Sequence, residues 1–161
     1  MLLVGYDKRR KPFNNKEEKM GLDQHAHLRG TNVDWEKYYN EDNYGDENNI
    51  FVWRKHARLQ EFMAKKWADQ NPSIKVEGHL AHLGFNGDQE APCYMTKDVV
   101  KELGEQIEKG FADYHAEDGF FWGQQFQEES VKDYKEQDMK FLKFCEQAID
   151  EGKVVEYWCS W

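Results

Sequence analysis

The sequence predicts an α+β fold in which about three helices pack on a small sheet within one compact domain. Apolar and polar residues alternate around residue 22 and again at the C-terminal end, which is typical of half-buried strands. Between these segments, apolar residues recur at helical spacing. No internal repeat or linker divides the 161 residues, a length that suits one domain. Residues 1–19 are predicted to be a polar N-terminal extension, and residues 20–161 the domain.

The first predicted strand starts at Met20 and runs to Leu28. One face carries Leu22, Gln24, Ala26 and Leu28, and the other carries Asp23, His25 and His27. The second face suits either a polar, solvent-facing strand edge or a pair of metal ligands. Residues 30–49 follow as a long polar loop.

Three helices are predicted from the spacing of apolar residues. The first runs from about Phe51 to Gln70, the second follows an N-cap at Thr96, and the third spans about 128–151. Gly110 and Gly152 are expected to end the second and third helices. The buried stripe of the first helix would consist of Val52, Leu59, Phe62, Met63 and Trp67.

Two further strands complete the predicted sheet. Residues 91–95 form a short strand candidate, and residues 154–161 form a closing strand with aromatic side chains on both faces. If these aromatic residues were exposed, they would favour a homodimer through a sheet edge.

The composition restricts the class of protein. The chain has 31 acidic and 22 basic residues and a net charge of −9, which opposes general nucleic-acid binding. No apolar run approaches the ~18 residues needed to cross a membrane, so no membrane partner is expected. Three widely spaced cysteines without a CxxC motif predict a reduced, cytoplasmic protein. The chain is also rich in aromatic residues, with 6 Trp, 8 Tyr and 10 Phe.

The cationic tetrapeptide Trp53-Arg54-Lys55-His56 is the main candidate for a ligand site. It lies at the start of the first predicted helix, where the helix dipole and free backbone N–H groups favour an anion. Arg54, Lys55 and His56 would form a charged wall, and Trp53, Trp122 and Trp161 would form an apolar wall. The carboxylate of Asp23 is a candidate acid or base. The proposed ligand-binding residues are Trp53, Arg54, Lys55, His56, Asp23, Trp122 and Trp161.

A weaker alternative is a metal site. His79 and His82 are three positions apart and Cys93 follows, and all three are side chains that zinc prefers. A fourth ligand is not evident, so ordinary loop histidines are the competing interpretation. No cofactor is predicted.

Four motifs in order resemble a family of small phage-encoded proteins that is frequent in cyanophages and other tailed phages. The motifs are Met20-Gly21-Leu22-Asp23, Trp53-Arg54-Lys55, Gly119-Phe120-Phe121-Trp122-Gly123 and a chain end at Ser160-Trp161. Cys159 stands where a serine is common in that family. The resemblance implies a phage origin and the host-cell cytoplasm, but no reaction.

Three functions are consistent with these patterns. The leading hypothesis is an accessory protein without catalytic activity that binds a host protein or a small anionic ligand. The alternative is an enzyme that acts on a small metabolite with an acid–base carboxylate such as Asp23. An acidic mimic of nucleic acid ranks last, because lysine and arginine are interleaved with the carboxylates. No phosphate-binding loop or hydrolase motif is present.

Overall fold

A computed structural model of the chain describes residues 21–33, 49–74, 91–116 and 126–160. The N-terminal extension, most of the polar loop, His79, His82, Trp122 and Trp161 therefore lie outside the described residues. The elements are β1 (Asp23–Leu28), β2 (Ile50–Arg54), α1 (Ala57–Gln70), β3 (Cys93–Tyr94), α2 (Lys97–Glu108), a 3-10 turn (Ala112–Tyr114), α3 (Gln127–Asp150) and β4 (Val155–Ser160).

The four described strands form one antiparallel sheet in the order β2-β1-β4-β3. β1 lies inside the sheet, with Asp23 opposite Arg54 on one side and opposite Ser160 on the other. β3 adds two residues to the outer side of β4, where Cys93 pairs with Tyr157. The first predicted strand is therefore a central one and not a solvent-facing edge.

The three helices of the described residues pack on one face of this sheet, so the predicted α+β architecture is confirmed. We call this face the inner face. Its apolar residues form a single cluster with residues of all three helices. Phe141 of α3 lies against both Phe51 and Trp53, with ring centroids 5.1 and 5.0 Å apart. The strand members of the cluster are Ala26, Phe51, Trp53, Cys93, Val155, Tyr157 and Cys159, and Leu22 joins them from just before β1.

The ends of α2 and α3 agree closely with the sequence signals. The Thr96 hydroxyl accepts a hydrogen bond from the backbone N–H of Val99, which caps the first turn of α2. After each helix the chain reverses through a glycine in the left-handed region, Gly110 at φ 61° and Gly152 at φ 69°. A side chain at either position would be strained, so glycine is the residue suited to these helix ends.

The start of the first helix was predicted six residues too early. Residues 50–54 form β2, and α1 begins only at Ala57. The run from Ile50 to Trp53 is buried on both faces of the sheet, so it shows no alternation of apolar and polar residues. A strand of this kind has the same apolar pattern as a buried helix segment.

Side chains of α3 form hydrogen bonds with the backbone of β2, which is an edge strand. Gln137 donates from Nε2 to the carbonyl oxygen of Val52 at 2.7 Å. The Tyr134 hydroxyl accepts from the N–H of Arg54 at 3.0 Å and lies 3.3 Å from its carbonyl oxygen. Ser130 donates to the carbonyl oxygen of Lys55. Because these three helix residues follow helical spacing, one stripe of α3 covers the edge.

The other edge strand is covered by a side chain of α1. Gln70 donates to the carbonyl oxygen of Tyr94 and accepts from its N–H, both at 2.8 Å, as a neighbouring strand would. β4 lies between β1 and β3, so the closing strand is not at the edge through which pairing was expected. Within the described ranges, no helix has the length and apolarity to span a bilayer.

Candidate functional site

The cationic tetrapeptide is divided between two environments. Trp53 points to the inner face, whereas Arg54 is the last residue of β2 and lies on the opposite, outer face. Lys55 adopts a left-handed φ of 56°, and the chain then turns so that His56 precedes α1 as a fully buried residue. These four residues therefore do not form the common ligand wall that was predicted at a helix start.

Asp138 of α3 holds Trp53 and His56, the two residues of the tetrapeptide that lie on the inner side of the sheet. The indole Nε1 of Trp53 donates to Oδ1 at 2.7 Å, and Nε2 of His56 lies 2.9 Å from Oδ2. With Asp138 as a carboxylate, which only accepts, Nε2 of His56 is the donor in this contact. Tyr134 stacks on the imidazole and Phe111 meets it edge-on, so the side chains of His56 and Asp138 are 0% and 3% exposed. Nδ1 of His56 has no hydrogen-bond partner among the described residues.

A second buried network joins β1, α1 and β4. Gln24 donates to the Tyr157 hydroxyl at 2.8 Å and to the carbonyl oxygen of His56 at 3.1 Å, and it accepts from the N–H of His56. The Tyr157 hydroxyl donates to Gln60 at 2.6 Å, and Gln60 donates to the sulfur of Cys159. Burial raises the pKa of Tyr157 far above its ordinary value, because the anion would lose its hydration. These groups fasten the elements together and are closed to solvent.

The outer face is ordered by the strand register into three rows of side chains. The rows run across β2, β1 and β4, and neighbouring rows are about 7 Å apart along the strands. The first row consists of Arg54, Asp23 and Ser160, the second of Val52, His25 and Trp158, and the third of Ile50, His27 and Glu156.

Asp23 and Arg54 form the ion pair of the first row. Oδ1 and Nη1 are 2.7 Å apart, and the two side chains are 25% and 16% exposed. Burial raises the pKa of the Asp23 carboxyl above its ordinary value, although the neighbouring Arg54 and Lys55 act in the opposite direction. The structure thus brings together two of the residues that the sequence singled out.

Two histidines occupy the centre of the outer face. The rings of His25 and His27 are stacked, with centroids 5.5 Å apart and planes inclined by 14°. Burial, and then the charge of His27, lowers the pKa of His25 to about 3, so its ring is uncharged at neutral pH.

A second acidic group lies in the third row. Glu156 accepts from the indole Nε1 of Trp158 at 3.2 Å, and its carboxylate is 3.7 Å from the guanidinium of Arg29. The Glu156 side chain is 12% exposed and that of Arg29 is 67% exposed. The stacked histidines therefore lie between two ion pairs, one at each end of the face.

The metal alternative gains no support from the described residues. Within those ranges no three His, Cys, Asp or Glu side chains gather closely enough to hold an ion. Cys93 is fully buried, and burial raises the pKa of its thiol, so it behaves as an apolar core residue. Its suggested partners, His79 and His82, lie outside the described residues, as do Trp122 and Trp161.

Sequence reasoning missed Asp138, Gln24 and Tyr157 as organising residues. Asp138 did carry a signal, because it lies three positions before Phe141 on the buried side of α3, where a carboxylate requires partners. Its partners Trp53 and His56 are more than 80 positions away in the chain and could not be deduced from local spacing.

In comparisons with known proteins, no family model matches this chain, and neither a curated protein nor a solved structure is significantly similar to it.

Proposed function

We propose that this protein binds a small anionic ligand on the outer face of its sheet, with Arg54 as the cationic anchor. The ion pair between Arg54 and Asp23 carries this proposal, because it places a largely buried guanidinium beside a carboxylate on the outer face, whose residues lie outside the core cluster that the helices form with the inner face. The phage origin and the host-cell cytoplasm implied by the motif order belong to the same proposal.

Arginine suits this role by its shape and charge. Its planar guanidinium binds a carboxylate or phosphate with two parallel hydrogen bonds, and such bonds are strong where water is partly excluded. The contact between Nη1 and Asp23 shows that this guanidinium already holds a carboxylate. A ligand carboxylate or phosphate would take the place of that internal partner.

The displaced Asp23 would couple ligand binding to a proton. Its pKa is already raised by burial, and an anion on Arg54 would weaken the interaction that opposes this rise. The groups that face Asp23 are Arg54 and Lys55 from β2 and its turn, Ser160 from β4 and the uncharged His25 from its own strand. Asp23 would therefore take up a proton when the anion binds, and affinity would rise as the pH falls.

A small ligand is favoured over a host protein because both sheet edges are already occupied. Gln137 and Gln70 hydrogen-bond the backbones of β2 and β3. A partner strand that added to the sheet would have to displace them.

Calorimetric titration with inorganic phosphate, citrate and benzoate at pH 5 and pH 7 tests the proposal. We expect binding that is lost in Arg54→Gln and retained in Asp23→Asn. Benzoate is ionised at both pH values, so for this ligand we expect tighter binding at pH 5 in the wild type and no pH dependence in Asp23→Asn. The double variant Asp23→Asn/Arg54→Gln leaves no unpaired charge, so it separates loss of the anchor from loss of the fold. Arg29→Gln, at the other end of the face, is the matched control and should bind normally. Absence of heat with every anion, or binding that survives Arg54→Gln, would overturn the proposal.

A second candidate function is acid–base catalysis by Asp23. It is favoured by the raised pKa of this carboxyl and by His25, its next neighbour on the same face. An enzyme would convert a bound ligand, which NMR spectra of the mixture would reveal over hours. Asp23→Asn should then bind the ligand and leave it unchanged, whereas a binding protein would leave it unchanged in the wild type as well.

A further inference from the structure

Extending the proposed function, we infer that the anion held by Arg54 carries a planar aromatic or heteroaromatic ring, which lies on the second row beside His25 and Trp158. The inference names the ligand class of the proposed site and rests on that proposal. It depends on three features of the outer face: the spacing of the rows, the rings they carry, and the distribution of charge.

The spacing fits a short ligand. The second row follows the first by two residues along each strand, a separation of about 7 Å. His25 is directly opposite Trp158 in the register, so their Cβ atoms are about 5 Å apart. A carboxylate or phosphate bound to Arg54 would therefore place a directly attached ring next to these two side chains.

The rings of the face already show how a planar group is accommodated. His25 and His27 stack with nearly parallel planes, so two flat groups already lie side by side on this surface. Trp158 is partly exposed, and its hydrogen bond to Glu156 restrains the indole. Aromatic rings prefer such offset or edge-on contacts with one another, and an aliphatic ring gains only the burial of its area.

The distribution of charge on the outer face favours an anionic group only at the end that carries Arg54. The first row carries Arg54, the second row contains no charged side chain once His25 is uncharged, and the third row carries Glu156. An anion near Glu156 would be repelled, whereas an uncharged ring over the second row meets no opposing charge. A ring with a single carboxylate or phosphate matches the charge of all three rows, because its anionic group lies at Arg54 and no negative charge approaches Glu156.

Benzoate and cyclohexanecarboxylate provide the test, because they share charge and approximate size and differ in planarity and π electrons. Calorimetry on the full chain should give benzoate an affinity about 3- to 10-fold higher. Ligand protons of benzoate should also shift upfield in the NMR spectrum, since they lie over an indole.

Two variants of the same residue assign the effect to the ring of Trp158. Trp158→Phe should keep the preference for benzoate and Trp158→Leu should lose it, although both lose the hydrogen bond to Glu156. Tyr94→Leu is the control, because Tyr94 is an aromatic residue of the same face opposite Glu156, far from Arg54. Circular dichroism of each variant should match that of the wild type.

The outcomes separate the two proposals. Equal affinity for the two carboxylates, or a preference that Trp158→Leu leaves intact, overturns the aromatic ligand and leaves the anion site standing. Failure of both carboxylates to bind the wild type overturns the anion site itself.

Discussion

The two faces of the sheet differ in how deeply they bury their polar groups. On the inner face, Trp53 and His56 both bind the carboxylate of Asp138, whose side chain is 3% exposed. On the outer face, Asp23 and Arg54 also form a close pair, but their side chains are 25% and 16% exposed.

Burial decides which of these polar groups are structural. A polar group that three helices shut away from water must find all its partners within the protein, because an unpaired group costs several kcal/mol. The pair on the outer face keeps partial contact with water, and in our proposal it exchanges its internal partner for a ligand. Chemically similar pairs therefore differ in burial between the two faces.

The largest expected effect comes from Asp138→Ala. This substitution leaves the indole N–H of Trp53 and the imidazole N–H of His56 without an acceptor in the core. We expect the free energy of unfolding, measured by urea denaturation, to fall by about 3–5 kcal/mol. Asp138→Asn keeps one acceptor oxygen and should cost less. If Asp138→Ala were no more harmful than Asp23→Ala, the distinction between the two faces would fail.

Tyr157→Phe tests the second inner network. The substitution removes the hydroxyl that donates to Gln60 and accepts from Gln24, and it leaves both buried amides with one unmet hydrogen bond. The expected loss is about 1–3 kcal/mol in the same denaturation experiment. A neutral outcome would mean that water reaches this part of the core.

The burial of His25 on the outer face should make the stability of the protein depend on pH. The folded-state pKa of His25 is about 3, below its ordinary value of 6.5, so between these values the unfolded chain binds the extra proton. Stability should therefore fall as the pH drops below 6.5, by at most about 2 kcal/mol at pH 5. The raised pKa of Asp23 acts in the opposite direction, because the folded state then holds its proton more firmly.

The variant His25→Asn isolates this effect. The difference in stability between wild type and variant should be constant above about pH 7.5 and should shift in favour of the variant as the pH falls towards 5. Parallel curves across the whole range would show that His25 does not titrate in the predicted manner.

The smallest effect is expected from Arg29→Gln. Arg29 is 67% exposed and its contact with Glu156 is long, so solvent screens the pair. We expect a change within about 0.5 kcal/mol, measured by thermal and urea unfolding. A substantially larger loss would indicate that this end of the outer face is as enclosed as the inner face.

Much of the fold could be predicted because its signals are local. The alternation in β1, the cap at Thr96 and the glycine after α3 each act within a few residues, and the structure contains all of them. β2 escaped prediction because Ile50 to Trp53 is apolar on both faces, and a doubly buried strand shows no period.

The candidate site was only partly predictable, because its residues are brought together by the register between β1 and β2. Asp23 and Arg54 were each noticed, but only their pairing across β1 and β2 brings them to 2.7 Å. His56 was grouped with Arg54 because the two are close in the chain. The turn at Lys55 then sends His56 to the opposite side of the sheet.

The strand order also governs when the sheet can be completed during synthesis. β1 and β2 emerge from the ribosome early and can pair at once, but the second partner of β1 is β4, whose Tyr157 is 133 positions beyond Gln24. Until β4 is made, one side of β1 offers unpaired backbone groups to any other strand nearby. β3 likewise lacks its only strand partner, because it pairs with β4 alone among the described strands. The nascent chain is therefore most prone to wrong pairing just before β4 appears, and a translational pause after α3 should increase aggregation.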